Sequence, residues 1–249
     1  MTDLSNKTAL VTGASRGLGR ATAARLADAG AHVIVHYSAS REAADSLVSE
    51  IRAKGGQADA IGGDLASPDA PHKLAEAVRG LGIAKLDILV NNAGVAQFAT
   101  LEEQTVEDFD RHFAINVRAP YFLTQQLLPL LGEGSSVIFL SSVVARVAFE
   151  NTSAYSATKG AVEVLTRNLA KELGARGIRV NAIAPGAIDT DMAKDFLGTE
   201  ESREYVKSIQ ALKRIGQPDD IADAVLFLAS EPSRWVAGRS IEVSGGTNL

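Results

Sequence analysis

The sequence predicts an α/β fold, with one open, doubly wound parallel sheet of about seven strands covered by helices on both faces. Short β-branched runs alternate with helical stretches along all 249 residues. Those runs are apolar almost throughout rather than at every second position, which marks strands buried on both sides. Right-handed crossovers between such strands wind the sheet open in two directions. No composition shift, linker, repeat or low-complexity tract divides the chain, so residues 1–249 are read as a single domain.

The elements follow in order. "TALVT" (8–12) leads into a helix from about Gly17 to Ala29, closed by Gly30. "HVIVHY" (32–37) leads to a helix of about 41–54, closed by Gly55 and Gly56. "ADAIGGD" (58–64) precedes a helix expected to open with Ser67 as N-cap and Pro68 at its first position. "LDILVN" (86–91) ends in the loop Asn92–Ala93–Gly94. A long helical zone of about 105–131 is expected to break at Pro120 and Pro129. "SVIFLSS" (136–142) precedes a helix of about 155–174, and "IRVNAIA" (178–184) ends at Pro185–Gly186. A helix of about 218–229 comes before the last strand, "RSIEVS" (239–244).

The bulk numbers bound the function. The chain is 46% hydrophobic and 22% charged, with a net charge of −5 and no basic block. That points away from nucleic acid or an anionic membrane as the main partner. With no cysteine there is no disulfide, thiolate metal site or cysteine nucleophile. "MTDLSNKTAL" lacks the pattern of a signal peptide and no apolar run is long enough to span a bilayer, so a cytoplasmic location is expected.

In sheets of this kind ligands sit beyond the carboxyl ends of the strands. The first such loop is "VTGASRGLGRA", with Gly13, Gly17 and Gly19 between a strand and a helix. Glycine permits positive φ and close backbone approach, and the helix start offers free N–H groups and a positive dipole end. Those features suit a pyrophosphate, although the spacing is G-x-x-x-G-x-G rather than G-x-G-x-x-G. "GASRG" (13–17) also matches the G-x-S-x-G of serine hydrolases, but that chemistry needs a later histidine. The histidines are His32, His36, His72 and His112, so none follows in the second half. "SATK" (156–159) fits the S-x-x-K of β-lactamases without its companion motifs. His32 and His36 share a strand face without a third ligand, so no metal site is expected.

"SAYSATKGAVEVL" places Tyr155 and Lys159 one turn apart at a helix opening, pointing the same way. An ammonium beside a phenol favours the phenolate, moving a group that ordinarily titrates near pH 10 toward working pH. Such a group can trade a proton with an alcohol or carbonyl oxygen. The strand before it ends at Ser141–Ser142, delivering hydroxyls to the same rim.

Together these features resemble the short-chain dehydrogenase/reductase family, over nearly the whole chain. The resemblance rests on T-G-x-x-x-G-x-G at Thr12–Gly19, N-N-A-G at Asn91–Gly94, Asn116 in "INV", Ser142, Y-x-x-x-K at 155–159, and P-G at 185–186. It implies a Rossmann-type fold and hydride transfer between a nicotinamide and a substrate carbon. Tyr155 would be general acid or base, Ser142 would hold the substrate oxygen, and Lys159 would bond the nicotinamide ribose. Asn116 would position a water on a proton relay. Gly13, Ser15, Arg16, Gly17, Leu18 and Gly19 would cradle the coenzyme, with Asn91, Ala93 and Gly94 on its adenosine side. Asp64 and Leu65 would flank the adenine, and Pro185, Gly186, Ile188 and Thr190 the nicotinamide.

Family members that use NAD carry an aspartate at the end of the second strand. Here Tyr37 occupies that place, followed by Ser38, Ala39, Ser40 and Arg41. A 2′-phosphate is repelled by an acid and welcomed by hydroxyls and a cation. Arg16, with Ser38 and Ser40 or Arg41, therefore implies NADP(H). Expected pocket positions are Val143, Val144, Phe149, Asn151, Ala187 and a segment of about 190–212, mostly apolar, favouring a neutral ketone or alcohol. The chain is also similar to 3-oxoacyl-[acyl-carrier-protein] reductases, but "LPLLGEGSS" has Glu133 where those carry basic residues, with only Arg176 retained. An NADP-binding regulator without catalysis is a different class, opposed by the intact Ser142, Tyr155 and Lys159. Helices 105–131 and 155–174 carry surplus apolar positions, among them Ala161, Val162, Val164, Leu165, Leu169 and Leu173; family members pair these helices across dimer interfaces, so the resemblance implies a homotetramer.

Overall fold

A computed structural model describes residues 2–194 and 196–249. The strands are β1 (Thr8–Val11), β2 (His32–Tyr37), β3 (Gln57–Gly62), β4 (Ile88–Asn91), β5 (Ser136–Leu140), β6 (Arg179–Pro185) and β7 (Ser240–Val243). They form one parallel sheet in the order β3-β2-β1-β4-β5-β6-β7. The helices are α1 (Gly17–Asp28), α2 (Arg41–Ala53), α3 (Ala70–Gly80), α4 (Val106–Phe113), α5 (Ala119–Leu127), α6 (Ser153–Leu173), α7 (Glu200–Ser208) and α8 (Pro218–Ala229).

The apolar runs serve two cores at once, because successive side chains leave opposite faces of a strand. Ala9, Val11, Ile88, Val90 and Ile138 pack with α1, α2 and α8 on one face. Their neighbours Leu10, Leu89, Val137 and Phe139 pack with α3, α5 and α6 on the other. The winding reverses between β1 and β4, which are adjacent in the sheet but far apart in sequence. A crevice opens there beyond the carboxyl ends of the strands, at the switch point where such sheets bind ligands.

Two boundaries differ from expectation. Helix α3 opens at Ala70, not with Ser67 and Pro68. Ala70 donates its N–H to the Ser67 carbonyl (3.2 Å), and the Ser67 hydroxyl donates to Asp69 (2.9 Å). Pro68 therefore sits at the second position of a tight turn, which its fixed φ suits equally well. The long helical zone breaks before Pro120 rather than at it. Ala114–Arg118 form a π-helical turn between α4 and α5, with Pro120 in the opening turn of α5. No helix among the described residues is long and apolar enough to cross a membrane.

Candidate active site

The turn after β1 is shaped for close approach. Gly13 and Gly17 have φ of +64° and +54°, in the left-handed region. A Cβ on Gly19 would lie 2.3 Å from the Gly13 carbonyl oxygen, so only glycine fits. Two neighbouring strands hold this turn. From β4, the Asn92 side chain donates to the carbonyls of Thr12 (2.7 Å) and Gly13 (3.2 Å), while the Thr12 hydroxyl accepts from the N–H groups of Asn92 and Ala93. From β2, His36 Nδ1 accepts the Gly13 N–H at 3.1 Å and its carbonyl accepts the Ala14 N–H at 2.8 Å. His36 Nε2 lies 2.9 Å from the Gly63 carbonyl, so the proton belongs on Nε2 and the ring is neutral. Sequence alone marks His36 only as one of two histidines sharing a strand face. Nothing in its local pattern marks a histidine whose partners lie one strand away on either side.

This turn forms one end of a cavity of about 1070 Å³. Gly13, Ser15, Arg16, Gly17, Leu18 and Gly19 line it, with Ser38, Ser40, Asp64, Leu65, Ala93 and Gly94. The Arg16 side chain makes no hydrogen bond or ion pair to another described residue, while its carbonyl accepts the Arg20 N–H at 3.2 Å. Two expected residues lie outside the wall. The Tyr37 ring packs over Gly62 of β3, where a built Cβ would come within 2.8 Å of it. Asn91, still inside β4, is buried and donates to the Thr124 hydroxyl at 3.2 Å. Its place in the wall is taken by Asn92, because the strand pleat turns successive residues to opposite sides. Arg41 pairs with Asp45 on the surface of α2.

At the middle of the cavity β5 and α6 bring Ser142, Tyr155 and Lys159 together. Tyr155 and Ser142 face the same cavity, where the Ser142 hydroxyl accepts the Val144 N–H at 3.4 Å. Lys159 Nζ stands 5.5 Å from the Tyr155 ring centre and donates to the Leu140 carbonyl at 2.7 Å. Asn116, in the π turn, is buried behind the wall. Its side chain accepts the Val95 N–H (2.9 Å) and donates to the Val95 carbonyl (2.9 Å) and the Thr158 hydroxyl (3.1 Å). That side chain is fully committed to fastening the β4 loop to α6. Pro120, lacking an N–H, cannot pair with the Asn116 main-chain carbonyl four residues before it.

Pro185, Gly186, Ala187, Ile188 and Thr190 continue the wall, and Val143, Val144, Phe149 and Asn151 line the opposite side. Phe98, Phe196, Tyr205, Val206 and Gln210 also line it. The sequence reading did not single out Phe98; the other four fall only within the broad segment of about 190–212. Phe98 meets both Tyr155 (6.1 Å between ring centres, 85° between planes) and Phe196 (6.2 Å, 76°) edge to face. Position 195 of that segment lies outside the described residues.

The family model described as "Enoyl-(Acyl carrier protein) reductase" matches residues 13–248. A 42% identical relative, versicolorin reductase 1 of Aspergillus parasiticus, aligns over 98% of this chain and 97% of its own length. A protein of Pestalotiopsis microspora described as a short-chain dehydrogenase/reductase is also 42% identical, over 98% of this chain and 96% of its own. The chain belongs to the short-chain dehydrogenase/reductase family. Among solved members of that family, the angucycline C-6 ketoreductase LanV with bound NADP superposes with a TM-score of 0.94 at 42% identity, covering 100% of this chain and 98% of that one. A short-chain dehydrogenase of Burkholderia cenocepacia in complex with NADP gives 0.92 at 39% identity, covering 99% of both chains.

The electrostatics of this short-chain dehydrogenase/reductase are set by burial. Burial pushes the Tyr155 phenol up to about 12, a rise the Ser142 hydroxyl partly offsets. Burial moves the Lys159 ammonium down to about 8. Lys159 is not among the groups that move the phenol, contrary to the expectation from their spacing. Its Nζ faces the Leu140 carbonyl. His36 is held near 4, again by burial, with the Gly63 carbonyl opposing.

Proposed function

We propose that the protein is an NADP(H)-dependent oxidoreductase that moves a hydride between the nicotinamide and a ketone or secondary alcohol. The observation that carries this reading is the meeting of Tyr155 with Ser142 in front of Lys159, in the same crevice as the Gly13–Gly19 cradle. The cradle fits a dinucleotide because Gly13 and Gly17 take positive φ and Gly19 packs directly on the Gly13 carbonyl, which brings the opening turn of α1 to the cavity. Arg16, Ser38 and Ser40 supply a cation and hydroxyls where a 2′-phosphate would sit, with no acid at the end of β2. When bound, the coenzyme supplies or accepts the hydride.

In reduction, the Ser142 hydroxyl and the Tyr155 phenol both donate to the substrate oxygen, and the Tyr155 proton passes to it as the alkoxide charge develops. In oxidation, the Tyr155 phenolate takes that proton back. Lys159 would hold the nicotinamide ribose, and its ammonium would stabilise the phenolate. The Asn116 carbonyl holds the water that reconnects Lys159 to solvent. Docking of an acidic carrier protein has little support: Arg176 is spent on the carbonyls of Leu128 (2.7 Å) and Leu131 (3.2 Å), capping the chain after α5. The working form is a cytoplasmic homotetramer.

Replacing Tyr155 with Phe tests the assignment. Turnover of a ketone with NADPH falls about 10²–10⁴-fold, the worth of a positioned general acid, while NADPH binding survives. The wild-type protein shows a higher kcat/KM with NADPH than with NADH. Persistent turnover in Tyr155→Phe overturns the mechanism, and an NADH preference overturns the coenzyme.

A further inference from the structure

One wall of the cavity is made by a segment with little of its own to hold it. β3 is the edge strand of the sheet, and beyond it residues 64–69 are mostly exposed, with only Leu65 buried in a core. Most of their hydrogen bonds are local. The Ala66 N–H donates to the Asp64 carboxylate at 3.1 Å, while Ser67 and Asp69 bond each other and the first residues of α3. Among the described residues, one long-range hydrogen bond reaches the segment. It comes from Arg118, whose Nη2 donates to the Ala66 carbonyl from 52 positions away in the sequence. Both polar groups of the Ala66 backbone are thereby tied, directly after Asp64 and Leu65, which line the cavity.

Arg118 does not line the cavity itself; it closes the π turn that carries Asn116. Side chains two residues apart on a helical turn leave it on nearly opposite sides. Asn116 accordingly bonds the β4 loop and α6, and Arg118 bonds the segment after β3. One short turn therefore fastens two separate walls of the crevice. A charged donor on a carbonyl is among the stronger hydrogen bonds. A wall fixed before binding also spares a ligand the cost of ordering it. We infer that Arg118 is a positioning residue for the coenzyme, which acts through the Ala66 carbonyl to pre-set Asp64 and Leu65 against the adenine. The inference rests on the reading of the crevice as an NADP(H) site, and it assigns Arg118 to the adenosine half alone.

The test separates the two halves of the coenzyme. Adenosine 2′,5′-bisphosphate is titrated by calorimetry, and reduced nicotinamide mononucleotide by its fluorescence, into the wild type and Arg118→Met. The variant is expected to bind the bisphosphate about tenfold more weakly, the order expected for one hydrogen bond from a charged group, and the mononucleotide within about twofold of wild type. With NADPH and a ketone, KM for NADPH rises by a similar factor while kcat holds, as for any loss of uniform binding. Amide exchange over residues 64–69 quickens while β1 and β4 stay protected, which establishes that the variant is folded. Arg118→Gln, a shorter polar side chain, replaces the methionine variant if that one fails to fold. Equal losses for both halves, or none for the bisphosphate, overturn the role of Arg118. A wild type that does not bind the bisphosphate overturns the coenzyme site and this role together. If no ketone is turned over but the loss is present and confined to the bisphosphate, the reductase reading fails and this one stands.

Discussion

His36 shows how much one side chain does when it is buried between two strands. Its neutral ring accepts from Gly13 on one side and donates to Gly63 on the other, so protonation would break the first bond. The folded protein holds it near 4 against an ordinary value of 6.5. Above about pH 6.5 both folded and unfolded chains carry a neutral ring. As pH falls from there toward 4, only the unfolded chain takes up the proton, so stability drains away across that window. The loss amounts to about 3 kcal/mol by pH 4. Denaturant melts from pH 7 to 4 are expected to show it in the wild type and not in His36→Gln. A parallel decline in both would remove His36 from the account. Residues such as Tyr155 and Lys159 were legible because their chemistry needs a fixed spacing along one helix. His36 was not, since its partners come from the turns after β1 and β3.

Among the elements, the π turn at Ala114–Arg118 most directly links local structure to the site. It presents Asn116 to the Val95 backbone and to Thr158, joining the β4 loop to the helix that carries Tyr155 and Lys159. Asn116→Ala leaves the Val95 N–H and carbonyl unpaired in a mostly buried setting. We expect a cost of about 2–3 kcal/mol, seen as a melting temperature about 5–10 °C lower, together with a fall in kcat larger than any rise in KM for NADPH. Unchanged melting with normal kcat would count against the fastening role. The sequence marked Asn116 through the family pattern but placed the helix break at Pro120, because proline is the visible breaker. A π turn leaves no such mark: its extra residue fits the same apolar spacing. Similarly, Tyr37 and Asn91 sit at the expected strand ends, yet the pleat turns them away from the cavity in favour of Ser38 and Asn92.

At the scale of the molecule, the sheet order was readable because fully apolar strands separated by helices have few ways to pack. The substrate chamber was less so, since Phe98, Tyr205 and Gln210 come from separate loops and a short helix with no shared motif. Beyond the two cores, α4 and α6 leave Val106, Phe109 and Val164 exposed at 71%, 42% and 48%. They adjoin a hollow lined by Phe113, Tyr121 and Leu165. Of the surplus apolar positions on α6, Val162, Leu169 and Leu173 are consumed by the core and Leu165 packs partly against it, so Val164 and the half-buried Ala161 are what remain for a partner. Sedimentation is expected to give a tetramer for the wild type and a smaller species for Phe109→Glu, whose carboxylate would be costly to bury. A monomeric wild type would refute the assembly.

The His36 strut also couples two quantities usually measured apart. A ligand seated on the Gly13–Gly19 turn binds only the folded chain, and at a hundred times its dissociation constant it adds about 2.7 kcal/mol. That is close to what acid removes through His36. Saturation with coenzyme should therefore shift the acid midpoint of unfolding downward, and the proton and the dinucleotide act as antagonists through a single imidazole. In a cell, the survival of this protein through a fall in pH would then track the size of its coenzyme pool.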